Sequence, residues 1–258
     1  MRFLVSHQLL REWREFALDA APFAFAQDME VIREKRSVTV TSWRAYSEAA
    51  DFGAGKDQRF HLGLYPLPFI GNLERAKVVL LLLNPGLGAE DYYGEYEVTG
   101  FRDRLRANIR QDVTTKYPFF FLDPDLAWHS GYTWWHGRLQ EIISELSRAW
   151  TVSHAEARKR VAHEIAALEL VPYHSASYGL APSAQSRLHS AAIARKYCDE
   201  VLVPRCADGN VMLIVTRRVK DWGVDAGKGA VIYEKSEPRA ALIGPHSRGG
   251  RRMLEALR

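Results

Sequence analysis

Six consecutive apolar residues, Val78 to Leu83, run directly into Asn84-Pro85-Gly86. The run is far shorter than the roughly 20 residues that cross a bilayer, and it contains no residue suited to face water. It therefore reads as a buried strand of a sheet covered on both sides. Pro85 and Gly86 turn the chain at its end. They do not account for a polar Asn84 placed directly after the apolar run, which marks that asparagine as a candidate for chemistry.

From Tyr65 onward, short apolar strands alternate with long helical or irregular segments, the pattern of a parallel sheet with crossover helices. Strands are expected at about Val78 to Leu83, Ala166 to Pro172, Val211 to Thr216 and Ala240 to Gly244. Helices are expected over Trp134 to Ala149, where Leu139, Ile142, Ile143 and Leu146 share a face, over Ser183 to Val201, and over Gly249 to Leu257. The fold class is α/β, a three-layer α/β/α sandwich with a central four-stranded parallel sheet. Residues 1–64 form an N-terminal elaboration. In it, His7 to Leu18 is helical and Arg36 to Gln58 is mixed strand and loop. No repeat, low-complexity tract or long linker divides the sequence, so residues 1–258 are expected to be one domain with 65–258 as its core.

At 258 residues, with 47% hydrophobic and 26% charged residues, such a chain buries about three quarters of the surface its unfolded form exposes. It needs neither disulfides nor a structural metal to make a core. Cys198 and Cys206 are the two cysteines; they lack C-x-x-C spacing and are too few for an iron–sulfur cluster or a four-thiolate zinc site. No cofactor, metal or cluster is expected. A reduced, cytoplasmic setting is expected, and the chain is expected to be a monomer with no membrane partner. The first sixteen residues mix charges among apolar positions and lack an uninterrupted apolar core or cleavage site, so they do not read as a signal peptide.

The net charge of +4 favours approach to a polyanion only where the charge is concentrated. Arg248, Arg251, Arg252 and Arg258 near the C-terminus are opposed by Glu255 alone.

Ligands of open α/β sheets bind beyond the carboxyl ends of the strands, so the residues there are the candidates. After the first strand, Gly86-x-Gly88 lacks the third glycine of a dinucleotide fingerprint, Asp91 standing in its place. The second strand end places Glu169, Tyr173, His174 and Ser175 near the same rim. The last strand leads into Pro245-His246-Ser247-Arg248-Gly249, a turn followed by a basic helix, where backbone N–H groups and small residues suit a phosphate. A serine hydrolase is excluded because no histidine follows Ser247. There is no H-E-x-x-H, and His129 and His136 are too far apart for an i, i+4 metal pair.

Asn84-Pro85-Gly86 after the first strand and Pro245-His246-Ser247 after the last resemble the two signature motifs of the uracil-DNA glycosylase superfamily. The likeness extends to Glu90-Asp91-Tyr92-Tyr93-Gly94-Glu95, which is similar to the ED-x-x-GE segment of several branches. The resemblance covers about Tyr65 to the C-terminus and implies a four-stranded parallel α/β/α fold that removes a flipped base from DNA. It implies catalytic roles for Asn84, positioning a water, and His246, donating to the developing oxyanion of the base. It implies that Pro85, Gly86, Tyr96, Glu169 and His174 hold the base, with Tyr96 stacking on it, and that Ser247, Arg248, Gly249 and Arg251 grip phosphates.

Two departures from the family pattern matter. The stretch from Glu169 to Ser175 contains no asparagine to read a pyrimidine edge, Glu169 or His174 standing there instead. The second motif reads P-H-S rather than H-P-S, and Arg248-Gly249-Gly250 replaces an apolar wedge. The reading from sequence is thus a DNA base-excision N-glycosylase-like protein. A non-catalytic nucleic-acid or nucleotide-binding member of the same fold is the alternative.

Overall fold

A computed structural model describes residues 7–32, 36–216, 219–225, 227, 229–233 and 243–258. The chain gathers into two compact units, each assembled from separate stretches. The first comprises Met1–Pro68, Asn84–Asp112 and Glu169–Glu200, the second Phe69–Leu83, Val113–Leu168 and Val201–Arg258.

The first unit opens with α1 (Gln8–Glu15), α2 (Ala26–Ile32), β1 (Ser37–Val38), α3 (Trp43–Ser47) and β2 (Phe60–His61). Within the elaboration, β1 and β2 pair in parallel, Ser37 opposite Phe60 and Val38 opposite His61. α1 spans the core of the helix expected from His7 to Leu18, and its apolar stripe of Leu9, Leu10 and Trp13 is buried. After Asn84 the unit adds α4 (Ala89–Glu97) and α5 (Phe101–Ile109).

The second unit is built on a five-stranded mixed sheet. Its strands are β3 (Phe69–Gly71), β4 (Val78–Leu82), β5 (Ile165–Glu169), β6 (Met212–Val215) and β7 (Ala230–Ile232), in the order β3-β5-β4-β6-β7. β4 pairs in parallel with β6, and β6 with β7. The apolar run behaves as its composition demands: Val78, Val79, Leu80 and Leu81 are fully buried, each contributing about 1.5–3 kcal/mol relative to an exposed side chain. The sheet is mixed rather than wholly parallel: at one edge β3 runs antiparallel to β5, with Phe69 opposite Leu168. Three residues are too few to show an alternation in sequence. Gly71 is needed there, because its φ is +84° and a Cβ would meet the Ile165 carbonyl at 2.6 Å.

Three of the four expected strands overlap β4, β5 and β6, the second ending at Glu169 rather than Pro172. Most of the fourth, Ala240 to Gly244, lies outside the described residues, and its last two positions, Ile243 and Gly244, belong to a turn. The helix expected over Trp134 to Ala149 is α6 (Ser130–Trp150), followed by α7 (His154–Glu164). The one expected over Ser183 to Val201 is divided into α8 (Pro182–Gln185), α9 (His189–Tyr197) and a π-helical turn over Cys198–Leu202. α10 (Val203–Ala207) and α11 (Val219–Trp222) flank β6. α12 (Arg248–Leu257) packs on β4, β6 and β7 through Met253, Leu254 and Leu257. Among the described residues no helix is long and apolar enough to cross a membrane.

Candidate functional site

The order of the sheet singles out one place in it. From β4 the chain goes to β5 on one side, then to β6 and β7 on the other, so the winding reverses at β4. In open α/β sheets such a switch point, at the carboxyl ends of the strands, is where a ligand crevice forms. The end of β4 is pinned: the Trp222 indole N–H donates to the Leu82 carbonyl at 3.0 Å. Two residues further along the chain stands Asn84.

In the first unit, the Asn84 side chain is half-buried and its orientation is set. Its Nδ2 donates to the Ser175 hydroxyl at 2.9 Å and to the Pro85 carbonyl at 2.8 Å. With both N–H bonds committed, Oδ1 is the atom left to accept a hydrogen bond from a ligand or water. Pro85 is buried and Gly86 exposed. A Cβ at Gly86 would meet nothing within 4 Å, so packing does not demand glycine there, and the open space lets another molecule approach the backbone closely.

His174 ties the same loop down. Its Nδ1 lies 2.8 Å from the Gly86 carbonyl oxygen and 4.0 Å from a carboxylate oxygen of Asp91. A carbonyl only accepts, so Nδ1 carries a hydrogen. Asp91 in turn accepts from the Gly88 N–H at 2.7 Å, capping the start of α4. Glu169 closes β5 as a buried residue, its backbone N–H donating to the Pro68 carbonyl at 2.8 Å.

α4 presents Tyr96 differently from the base-stacking role implied by resemblance. The Tyr96 hydroxyl donates to the Gly63 carbonyl at 2.6 Å, and the Arg102 guanidinium lies 4.3 Å over its ring. Tyr92 is stacked near-parallel to it and, at 3.9 Å between centroids, to Tyr46. Tyr96 thus sits inside an aromatic column, while the exposed tyrosine of this helix is Tyr93.

The N-terminal elaboration supplies polar groups that no local motif announces. The Asp57 carboxylate is held at about pH 2 by hydrogen bonds from Arg59 and accepts from His61 Nε2 at 3.3 Å. His61 Nδ1 then accepts from the buried Tyr92 hydroxyl at 3.1 Å. Burial lowers the pKa of His61, favouring its neutral form. The His61 backbone N–H donates to the His174 carbonyl at 2.9 Å, so residues 57–61 buttress the segment that carries His174 and Ser175. Ser175 was legible as a rim residue; Asp57, Arg59 and His61 were not.

In the second unit, His246 is exposed in the turn before α12, and Arg251 donates to its backbone carbonyl at 2.7 Å. Ser247 is the cap of α12. Its hydroxyl donates to the Gly244 carbonyl at 2.8 Å and accepts from the Gly250 N–H at 2.9 Å. The Gly249 N–H donates to the Tyr233 hydroxyl at 2.9 Å, and Arg248 reaches the Ile232 carbonyl. The donors assigned from sequence to phosphate, Ser247, Arg248, Gly249 and Arg251, thus all make hydrogen bonds within the protein, and the two arginines are exposed as well.

The tryptophans around the start of α6 divide. Trp135 is buried against Phe119, while Trp128 and Trp134 are exposed, with Arg138 over the Trp134 ring at 3.5 Å. Among the described residues no three His, Cys, Asp or Glu side chains gather to hold a metal ion. Comparison with family models, with curated proteins and with solved structures finds no match to this chain.

Proposed function

We propose that the chain is a DNA base-excision N-glycosylase-like protein, hydrolysing the N-glycosidic bond of a flipped damaged or deaminated base. The observation that carries this reading is the fixed Asn84 amide, whose Oδ1 is left to accept at the loop leaving the switch-point strand. A group of that kind orients a water without being a strong base. In the proposed reaction the bond between the anomeric carbon and the base nitrogen breaks with its electron pair going to the base. The water oxygen then bonds to the anomeric carbon, and the water's proton ends on the released base. Gly86 leaves room for the sugar or base to approach; the donor to the charge growing on the base oxygen is the role that the motif resemblance gives His246. The exposed Arg248 and Arg251 contact phosphate. In this reading β5, β4, β6 and β7 are the four-stranded parallel core of a uracil-DNA glycosylase-like sandwich, with β3 an added antiparallel edge.

A second reading, a nucleic-acid or nucleotide-binding member that does not cleave, is favoured by one feature. The buried Glu169 stands in the stretch where uracil-specific members carry an asparagine. Single- and double-stranded oligonucleotides carrying uracil, hypoxanthine, xanthine or mismatches separate the two. Abasic sites formed by the wild type and lost in Asn84→Ala support the glycosylase. Salt-dependent binding with no abasic site on any of them overturns it in favour of binding alone.

A further inference from the structure

We infer that Trp134, held by Arg138 on one flank of α6, is a platform on which an unpaired base of a DNA strand stacks while the strand's phosphates meet Arg251 at the start of α12. The inference rests on the reading that the start of α12 contacts DNA, though not on cleavage, and it adds the class of substrate, single-stranded DNA.

A large aromatic ring left in water marks a contact surface more often when something holds it in place. Trp134 is 42% exposed. Arg138, one turn further along the helix, donates from Nη1 to the Trp134 carbonyl at 3.0 Å, and its guanidinium lies 3.5 Å from the centre of the ring. Cation–π attraction and a hydrogen bond thus pin the pair together. A ring already held loses little freedom when a flat ligand lands on it.

Its surroundings indicate which flat ligand. The acidic residues nearest in sequence are Asp125 and Glu141, with none between them. Trp134, Arg138 and Glu141 follow one another at i, i+4 and i+7 along one flank of α6. Glu141 brings that flank to the turn before α12, for one of its carboxylate oxygens lies 3.6 Å from where a Cβ on Gly244 would stand. The exposed Arg251 follows in the first turns of α12. It uses one guanidinium donor on the His246 carbonyl and has five in all. The helical rise between Trp134 and Glu141 is about 10 Å, the length of about three nucleotides in a stacked strand. An aromatic ring and cations at that spacing fit a base and its neighbouring phosphates. Within a duplex both faces of a base are covered by its neighbours, so a side chain can stack only on an unpaired one.

The test compares three labelled probes by fluorescence anisotropy with the full chain: short oligothymidylate, the same strand with abasic residues in place of thymidine, and the duplex with oligoadenylate. The abasic strand keeps every phosphate and lacks every base. The wild type is expected to bind oligothymidylate at least fivefold more tightly than either of the others. Trp134→Ala is expected to lose about 5- to 150-fold on oligothymidylate and nothing on the abasic strand, whereas Trp134→Phe, which keeps a ring, should lose less than threefold. The slope of log affinity against log salt should be unchanged in Trp134→Ala and shallower by about 0.7 in Arg251→Gln. Equal affinity for the thymidine and abasic strands, equal or tighter binding of the duplex, or a Trp134→Ala loss shared by both strands overturns the inference while leaving the DNA contact of α12 standing.

A second measurement needs no variant. A single strand carrying 5-bromouracil is cross-linked to the wild type by ultraviolet light, and the attached residue is mapped by mass spectrometry. Attachment at Trp134 supports the platform, and attachment only at other residues overturns it, whether or not Trp134→Ala folds. Failure to bind any of the probes overturns the reading of DNA contact and the inference with it. Binding without cleavage leaves the platform intact and overturns the glycosylase reading alone.

Discussion

Glu95 accepts the Tyr65 backbone N–H with both carboxylate oxygens, at 2.9 and 3.1 Å, inside the first unit where only 6% of the residue is exposed. Burial pushes its pKa up to about 8, with the Tyr65 N–H and Arg102 opposing the rise. The unfolded chain ionises this group near 4.5, so between about pH 4.5 and 8 the folded protein binds the extra proton. Stability therefore falls as pH rises through that window and levels off above it. Urea midpoints measured from pH 5 to 9 should decline for the wild type. Glu95→Gln, neutral throughout, should flatten the decline and be the more stable of the two at pH 8.

This bond also explains what the ED-x-x-GE segment does in the chain. Asp91 caps α4 at the Gly88 N–H, and Glu95 secures Tyr65. The carboxylates of that segment hold the helix that follows the Asn84 loop.

Asp57 moves in the opposite direction. Hydrogen bonds from Arg59 hold its carboxyl at about 2, against an ordinary 3.8. The stability it adds is present above pH 4 and is lost as pH falls through about 2. Arg59 is partly exposed, its side chain 36% accessible, so Asp57→Asn should cost only about 1 kcal/mol at neutral pH. The measurement is acid unfolding followed by circular dichroism, in which the variant should show a shallower loss between pH 4 and 2 than the wild type.

What the sequence disclosed follows from how local each signal is. Val78 to Leu83 is a strand by composition alone, and α6 and α12 are amphipathic over many residues, so both were legible. β3 and β7, at three residues each, fall below the length at which a period can be read. The candidate site divides in the same way. Asn84-Pro85-Gly86 stands out because a polar residue interrupts an apolar pattern. The Asp57–His61–Tyr92 chain does not, because Tyr92 on α4 is brought to His61 on β2 from 31 residues away in sequence. Tyr96 shows the limit of reading a residue by its neighbours in sequence: its hydroxyl is donated to Gly63, and Arg102 lies over its ring.

Two glycines should respond oppositely to alanine. At Gly250 a Cβ would lie 1.9 Å from the Gly244 carbonyl oxygen. Both partners are backbone, so Gly250→Ala should destabilise by about 3 kcal/mol or more. At Gly86 nothing lies within 4 Å of the added carbon, and the carbonyl that receives His174 is kept. Gly86→Ala should therefore leave thermal stability within about 0.5 kcal/mol of wild type. If the open space beside Gly86 receives substrate, the same change should raise KM. A Gly86→Ala protein of normal stability and unchanged kinetics would place the substrate elsewhere.

His246 offers the sharpest separation of folding from chemistry. Its ring is exposed, and the bond that involves the residue, from Arg251, is made to its backbone carbonyl, which alanine preserves. His246→Ala should leave the melting temperature unchanged. If the ring has the proposed role, its loss removes a donor to the developing oxyanion worth about 2.7–4 kcal/mol of transition-state stabilisation, so single-turnover cleavage should slow by about 100- to 1000-fold. Binding of the intact oligonucleotide, measured at fixed salt, should change little, because the charge the ring stabilises does not exist before the bond breaks. A loss of binding with the single-turnover rate of the bound complex unchanged would instead make His246 a contact for the uncleaved DNA, since removing an interaction formed equally in the ground and transition states lowers affinity without a further effect on the chemical step.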